Sequence, residues 1–202
     1  MEETLALYKE KKEDIKSRLN DFKSLPISSY IYEFLFCLLT PQSNAKKCWQ
    51  AIEELKKLSL SNIEKEKLIS ILKSKTRFHN NKSSYIIHNL QLWPNIQSQI
   101  NSKQDTKELR NWLSENVLGF GLKEASHFLR NIGKSNNKIA ILDRHILRNL
   151  KQLSLIEEEK IKNSKHYLEV ENIFLDFASS INIPADHLDL LWWSKENGDI
   201  FK

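Results

Sequence analysis

Apolar positions recur at helical spacing along almost the whole chain, and the breaks between them fall at proline, glycine or short polar runs. Leu5, Tyr8, Ile15, Leu19 and Phe22 share one face of a first helix that Pro26 stops. The stretch from Ile31 to Leu39 is apolar on nearly every side. That predicts a helix in the middle of a domain, ended near Pro41 by the missing amide. After the polar run TPQSN a helix can begin near Ser43 or Asn44 and carry Cys48, Trp49, Ile52 and Leu55, and a further short one follows Ser61. Tyr85, Ile86, Asn89, Leu90 and Trp93 form the next face, and Leu109, Trp112, Leu113 and Val117 form another beyond the polar segment 101–107. Downstream, Ile146, Leu147, Leu150 and Leu153 are followed by Leu168, Ile173, Phe174, Phe177 and Ile181, and Pro184 separates these from Leu188, Leu191 and Trp192. The expectation is an all-α fold of two helical lobes with a ligand site in the cleft between them. No repeat or low-complexity linker marks a boundary, so residues 1–202 read as a single functional unit.

Composition supports the helical reading. With 4 Gly and 4 Pro in 202 residues, turns are too few for sandwiches, barrels or Gly/Pro-rich disorder. The 31 Lys and Arg against 26 Asp and Glu leave a net charge of +5, which suits a polyanionic partner, although most of this charge serves to solvate helix faces. Two cysteines, Cys37 and Cys48, cannot supply a four-thiolate zinc site or a cubane iron–sulfur cluster. The opening residues are charged, without the apolar stretch of a signal peptide. The apolar run from Ile31 to Leu39 is interrupted by Glu33 and falls far short of the roughly 20 residues that span a bilayer. A soluble, intracellular protein without a membrane partner is expected.

The unusual backbone is concentrated in one region, since three of the four glycines fall between residues 119 and 133. LGFGLKEASHFLRN, 118–131, places Gly119 and Gly121 between a helix ending near Val117 and one beginning near Leu122, a helix–hairpin–helix pattern over about 109–133. Glycines there let backbone amides converge on a phosphate at a helix N-terminus, a contact that reads DNA backbone and not sequence. The same glycines fit a tight interhelical turn required by sterics alone. Lys123 lies in the first turn of the second helix. The positive end of the macrodipole, together with burial, disfavours its ammonium form there, and a neutral amine is a nucleophile. A solvated charge or a phosphate contact are the other readings of Lys123. Asp143, in AILDRHIL, occupies the N-cap of the next helix, which fixes its carboxylate whether or not it does more than cap.

The hairpin with Lys123, followed by Asp143 in an LDRH context, resembles the helix–hairpin–helix superfamily of DNA base-excision glycosylases. GFGLKEASHFLRNIG, AILDRHIL, LLTPQSNA, TRFHN and the ending LWWSKENGDIFK are similar to the compact type-2 8-oxoguanine DNA glycosylase/AP lyase family, from residue 38 to the last. The resemblance implies a bifunctional enzyme of base excision repair, with Lys123 as the Schiff-base nucleophile and Asp143 stabilising positive charge at C1′. It implies Phe78 and Trp193 on opposite faces of the extruded purine and the terminal carboxylate of Lys202 at its edge. Oxidation at C8 turns N7 from an acceptor into a donor, so an acceptor in the pocket distinguishes the lesion from guanine. Gln42 matches a position that fills the gap left by the extruded nucleotide, and it reads equally as a plain loop residue. The partner implied is DNA containing 8-oxoguanine. No cofactor or metal and no obligate protein partner are expected, and the chain should act as a monomer. Two other functions remain open on the residues: a non-catalytic helix–hairpin–helix DNA-binding module, and a glycosylase for a different damaged base.

Overall fold

The computed structural model describes residues 2–102 and 105–202; Lys103 and Gln104 of the polar segment lie outside it. Among the described residues there is no strand. The helices are α1 (Glu2–Lys23), α2 (Tyr30–Leu39), α3 (Ala45–Leu55), α4 (Lys65–Leu72), α5 (His79–Asn101), α6 (Thr106–Asn116), α7 (Leu122–Asn131), α8 (Arg144–Gln152), α9 (Ser164–Ser180) and α10 (Ala185–Asn197), with one short 3-10 turn at Ile27–Ser29. Two compact units result, Pro26–Phe128 and Met1–Leu25 together with Leu129–Lys202.

In the unit Pro26–Phe128, α2 packs against α3 and α5, α4 packs against both of those, and α6 rests on α5. Residues 34–39 of α2 are all buried, as a helix apolar on every side must be. Phe34 gathers an aromatic cluster, its ring centroid 5.3 Å from Trp93, 4.9 Å from Phe120 and 5.6 Å from Phe128. Helix α3 begins where its cap chemistry predicts: the Asn44 side chain accepts from the Lys47 amide at 3.0 Å. Helix α5 continues through Pro94 to Asn101, so its apolar face outlasts one missing backbone donor. Both cysteines are buried free thiols.

In the other unit α10 packs against α1, α8 and α9. Trp192, at the centre of this packing, has Phe174 and Phe177 each with ring centroids 5.7 Å away. Three helices here end in the same way, with a left-handed residue just past the cap: Gly133 (φ 70°), Ser154 (φ 56°) and Asn182 (φ 53°). The bonds Lys134 N–H to Leu129 O (2.8 Å), Leu155 N–H to Leu150 O (2.9 Å) and Ile183 N–H to Ala178 O (3.0 Å) close these ends and satisfy carbonyls that the helices leave over. Only at Gly133 does packing as well as φ demand glycine, because a Cβ there would lie 2.7 Å from the Lys23 Cα. Gly133→Ala should therefore cost more than about 1 kcal/mol in urea unfolding at an unchanged m-value. A loss below about 0.5 kcal/mol would show that the end of α1 yields to the added methyl.

Candidate active site

The hairpin is built on the buried side chain of Asn89 in α5. Its Nδ2 donates to the Leu118 carbonyl at 2.8 Å and its Oδ1 accepts from the Leu118 amide at 3.2 Å, so one side chain fixes both backbone groups of that residue. The next residue, Gly119, has φ 91°, and a Cβ on it would stand 2.7 Å from the Tyr85 ring and 3.0 Å from a Leu38 methyl. Both conformation and space require glycine there. The turn closes with the Phe120 amide on the Val117 carbonyl at 3.1 Å, and α7 starts with the Ala125 amide on the Gly121 carbonyl at 3.0 Å.

Lys123 follows in the first turn of α7, partly exposed. Its ammonium lies 2.9 Å from Glu124 Oε1, and the other oxygen of that carboxylate accepts from the Gly121 amide at 3.1 Å. The Glu124 contact is half of a capping box, with glycine where serine or threonine usually stands. A phosphate approaching the Gly121 amide therefore competes with Glu124, and displacing this carboxylate would also release Lys123. Helical spacing alone does not single out Glu124, because neighbours in a helix do not ordinarily face each other.

In the same unit, Gln42 and Phe78 are both exposed and both left-handed, with φ 55° and 56°. The Ser43 amide bonds to the Thr40 carbonyl at 2.9 Å, so Gln42 is the third residue of a tight turn that begins at Thr40 and has Pro41 second. Phe78 precedes α5 and is 52% exposed, a large area for a phenyl ring, with the Arg77 guanidinium 5.4 Å from its centroid.

Asp143 belongs to the other unit and caps α8: its Oδ1 accepts from the His145 amide at 2.8 Å and the Ile146 amide at 3.0 Å. The preceding segment 139–142 is buried without being a strand or helix, so its backbone groups need partners. Helix α9 supplies them. Glu171 accepts from the Ala140 amide at 2.8 Å, and the Tyr167 hydroxyl donates to the Ala140 carbonyl at 2.7 Å. These two residues hold the entry to Asp143, and helical periodicity alone marks them as no more than a buried face. Helix α8 is further tied to α10 by Glu196, which accepts from Arg148 and pairs with the His145 ring, both at 2.7 Å.

Trp193 is half-buried at the end of α10, its ring 6.2 Å from that of Phe201 and tilted 33°. The Lys202 ammonium lies over the Phe22 ring at 5.7 Å. The chain end thus folds back on its own unit through an aromatic contact and a cation–π contact. Gln42, Phe78, Gly119, Gly121 and Lys123 accordingly belong to the unit Pro26–Phe128, and Asp143, Trp193 and Lys202 to the other.

The model of the family described as 8-oxoguanine DNA glycosylase matches residues 15–183. A relative named 8-oxoguanine DNA glycosylase/AP lyase from Fusobacterium nucleatum is 42% identical, over 97% of this chain and 94% of its own. One of the same name from Methanocaldococcus jannaschii is 35% identical, over 95% and 93%. Among solved structures, the 8-oxoguanine DNA glycosylase of Thermotoga maritima superposes with a TM-score of 0.90 at 31% identity, covering 100% of this chain and 97% of that one. The Methanocaldococcus jannaschii glycosylase/lyase in complex with DNA containing 8-oxoguanine gives 0.88 at 30% identity, covering 100% of both chains. The chain belongs to the 8-oxoguanine DNA glycosylase family.

The surroundings of Asp143 carry a pH signature. Asp189 in α10 is buried, 3.4 Å from Arg130. Burial raises its carboxyl to about 7; the Arg130 guanidinium opposes that shift, and the charges of Asp143 and Asp186 add to it. The folded protein then keeps a proton that the unfolded chain loses near the ordinary value of 3.8. The stability this supplies is complete below that value and is lost as pH rises through about 7. Asp189→Asn has no proton to lose. Between pH 4 and 8 its Tm relative to the parent protein should rise by at least about 3 °C, whereas a constant difference would contradict the raised carboxyl.

Proposed function

We propose that this protein excises 8-oxoguanine from DNA and then cleaves the strand, as a bifunctional DNA glycosylase/AP lyase acting in base excision repair. The single observation that carries the chemistry is an amine, Lys123, set in the first turn of the helix behind a glycine hairpin, in a chain matched by the family model over most of its length. Lys123 Nζ attacks C1′ of the deoxyribose as the glycosidic bond breaks and the oxidised base leaves with the bonding electrons. One proton then passes from the adduct nitrogen to the ring oxygen as the C1′–O4′ bond opens, which leaves a protonated Schiff base. Its acidified C2′ proton is then lost while the C3′–O bond breaks, which expels the 3′ phosphate. Asp143 stabilises the positive charge that develops at C1′, a role for an ionised carboxylate whose position is fixed by its two cap bonds.

Phe78 and Trp193 are assigned to the two faces of the extruded base, the terminal carboxylate of Lys202 to its N7–H, and Gln42 to the vacated stack. Gly119 and Gly121 serve the phosphate-facing turn. The chain acts as one functional unit, as a monomer inside the cell, on DNA containing 8-oxoguanine. The support for this partner is the DNA complex formed by the Methanocaldococcus jannaschii neighbour.

Borohydride trapping on duplexes containing 8-oxoguanine tests the proposal. A covalent adduct is expected and should vanish in Lys123→Gln. Asp143→Asn, which keeps an acceptor at the cap, should lower turnover at least a hundredfold with duplex affinity changed less than threefold. No adduct with binding intact would identify a DNA-binding module, and adducts confined to other lesions would change the substrate. Extending the chain past Lys202 should weaken the preference for 8-oxoguanine over guanine at least tenfold, the scale of one lost hydrogen bond to a charged acceptor. An unchanged preference would remove the chain end from the pocket.

A further inference from the structure

Lys82, in the first turns of α5, is 4% exposed, and no step assigned above uses it. Its ammonium donates to the carbonyls of Leu39 and Pro41, each at 2.8 Å, to Thr76 Oγ1 at 2.8 Å and to Ser43 Oγ at 3.1 Å. Three of these acceptors flank or belong to the turn that presents Gln42. The fourth lies two residues before Phe78, and the Lys82 amide itself donates to the Phe78 carbonyl at 3.0 Å. Side-chain bonds complete the connection: Ser43 Oγ and Thr76 Oγ1 are 2.9 Å apart, Ser43 Oγ accepts from the Arg77 amide at 3.0 Å, and Thr76 Oγ1 donates to the Leu39 carbonyl at 2.9 Å.

One buried charge therefore links two exposed residues, Gln42 and Phe78, each held in the left-handed region that side chains of their size rarely adopt. Left-handed backbone at two such positions persists only where the surroundings over-determine it, and four acceptors converging on one ammonium do so. We propose that Lys82 is a positioning residue for base extrusion: it locks the Gln42 turn to the Phe78 segment, so that wedge and stacking ring engage the duplex as one rigid piece. The inference rests on the reading of Gln42 and Phe78 as DNA contacts.

The charge that does this is also titratable. Burial lowers the Lys82 ammonium to about 8. The Cys48 thiol on α3 and Glu124 on α7 face it and favour its charge, while Lys123 on α7 and Arg77 in the loop before α5 disfavour it. A neutral amine has two hydrogens for the four acceptors instead of three, so the turn loosens as pH rises past this value. Because the folded value lies below the ordinary 10.5, deprotonation of Lys82 by itself favours the folded chain over this range. A loss of extrusion there is not a loss of fold.

The test uses the full chain carrying Lys123→Gln, which halts the chemistry, and duplexes with 2-aminopurine beside 8-oxoguanine, whose fluorescence reports unstacking. Lys82→Met should lower the extrusion constant at least tenfold, with affinity for undamaged duplex changed less than twofold. Extrusion by the Lys123→Gln parent should fall with rising pH, starting above about 8 because the Lys123 charge that disfavours the Lys82 ammonium is gone, and Lys82→Met should abolish that fall. Thr76→Val should lower extrusion in the same direction and Thr76→Ser restore it, which decides the matter if Lys82→Met does not fold. Extrusion by Lys82→Met equal to that of its parent, or an alkaline fall that survives it, overturns the proposal. So does a Thr76→Val variant with unchanged extrusion. Gln42→Ala and Phe78→Ala separate the two layers. If both leave extrusion unchanged, the contact reading falls and takes the inference with it; if both lower it while Lys82→Met does not, the inference alone falls.

Discussion

The path of the backbone through Gly119 is the constraint from which the candidate site follows. Two hydrogen bonds from Asn89 fix Leu118, the Tyr85 ring and a Leu38 methyl leave no room for a Cβ on the next residue, and α7 must then begin at Leu122 with Lys123 in its first turn. The lysine is placed by a turn that admits one residue type, not by contacts of its own long side chain. Glu124 then takes both the Gly121 amide and the Lys123 ammonium.

Asp143 is positioned by different means. Its approach segment has neither helix nor sheet to satisfy its amides, and Glu171 and Tyr167 of α9 substitute for them. The carboxylate is then spent partly on the α8 cap, which leaves one oxygen outside the two cap bonds that Oδ1 accepts. The two amides that hold this carboxylate in place are the ones α8 leaves over at its own start.

Most of the helices were legible because their apolar faces keep a regular period and their ends carry punctuation: Asn44 and Asp143 cap, and Pro26 and Pro41 stop. The hairpin glycines were legible for the same reason. What periodicity hides is the polar group that has gone inside. Lys82, in the run NNKSSY, reads as an exposed helix charge, because lysine is almost never fully buried; four acceptors brought together from two loops far apart in sequence make it the exception. The Lys123–Glu124 pair was missed because sequence neighbours on a helix usually diverge, and here a carboxylate turned back to the cap alters that geometry. The left-handed conformations of Gln42 and Phe78 leave no mark in composition, since neither is a residue that favours them.

Two unusual amines lie in the unit Pro26–Phe128, one at the hairpin and one inside. In the proposed reaction the first alone forms the bond to the sugar. Peptide mapping by mass spectrometry of the borohydride-reduced enzyme–DNA adduct distinguishes them directly. The sugar-derived mass is expected on the peptide carrying Lys123; finding it on Lys82, or on any other amine, would contradict the account.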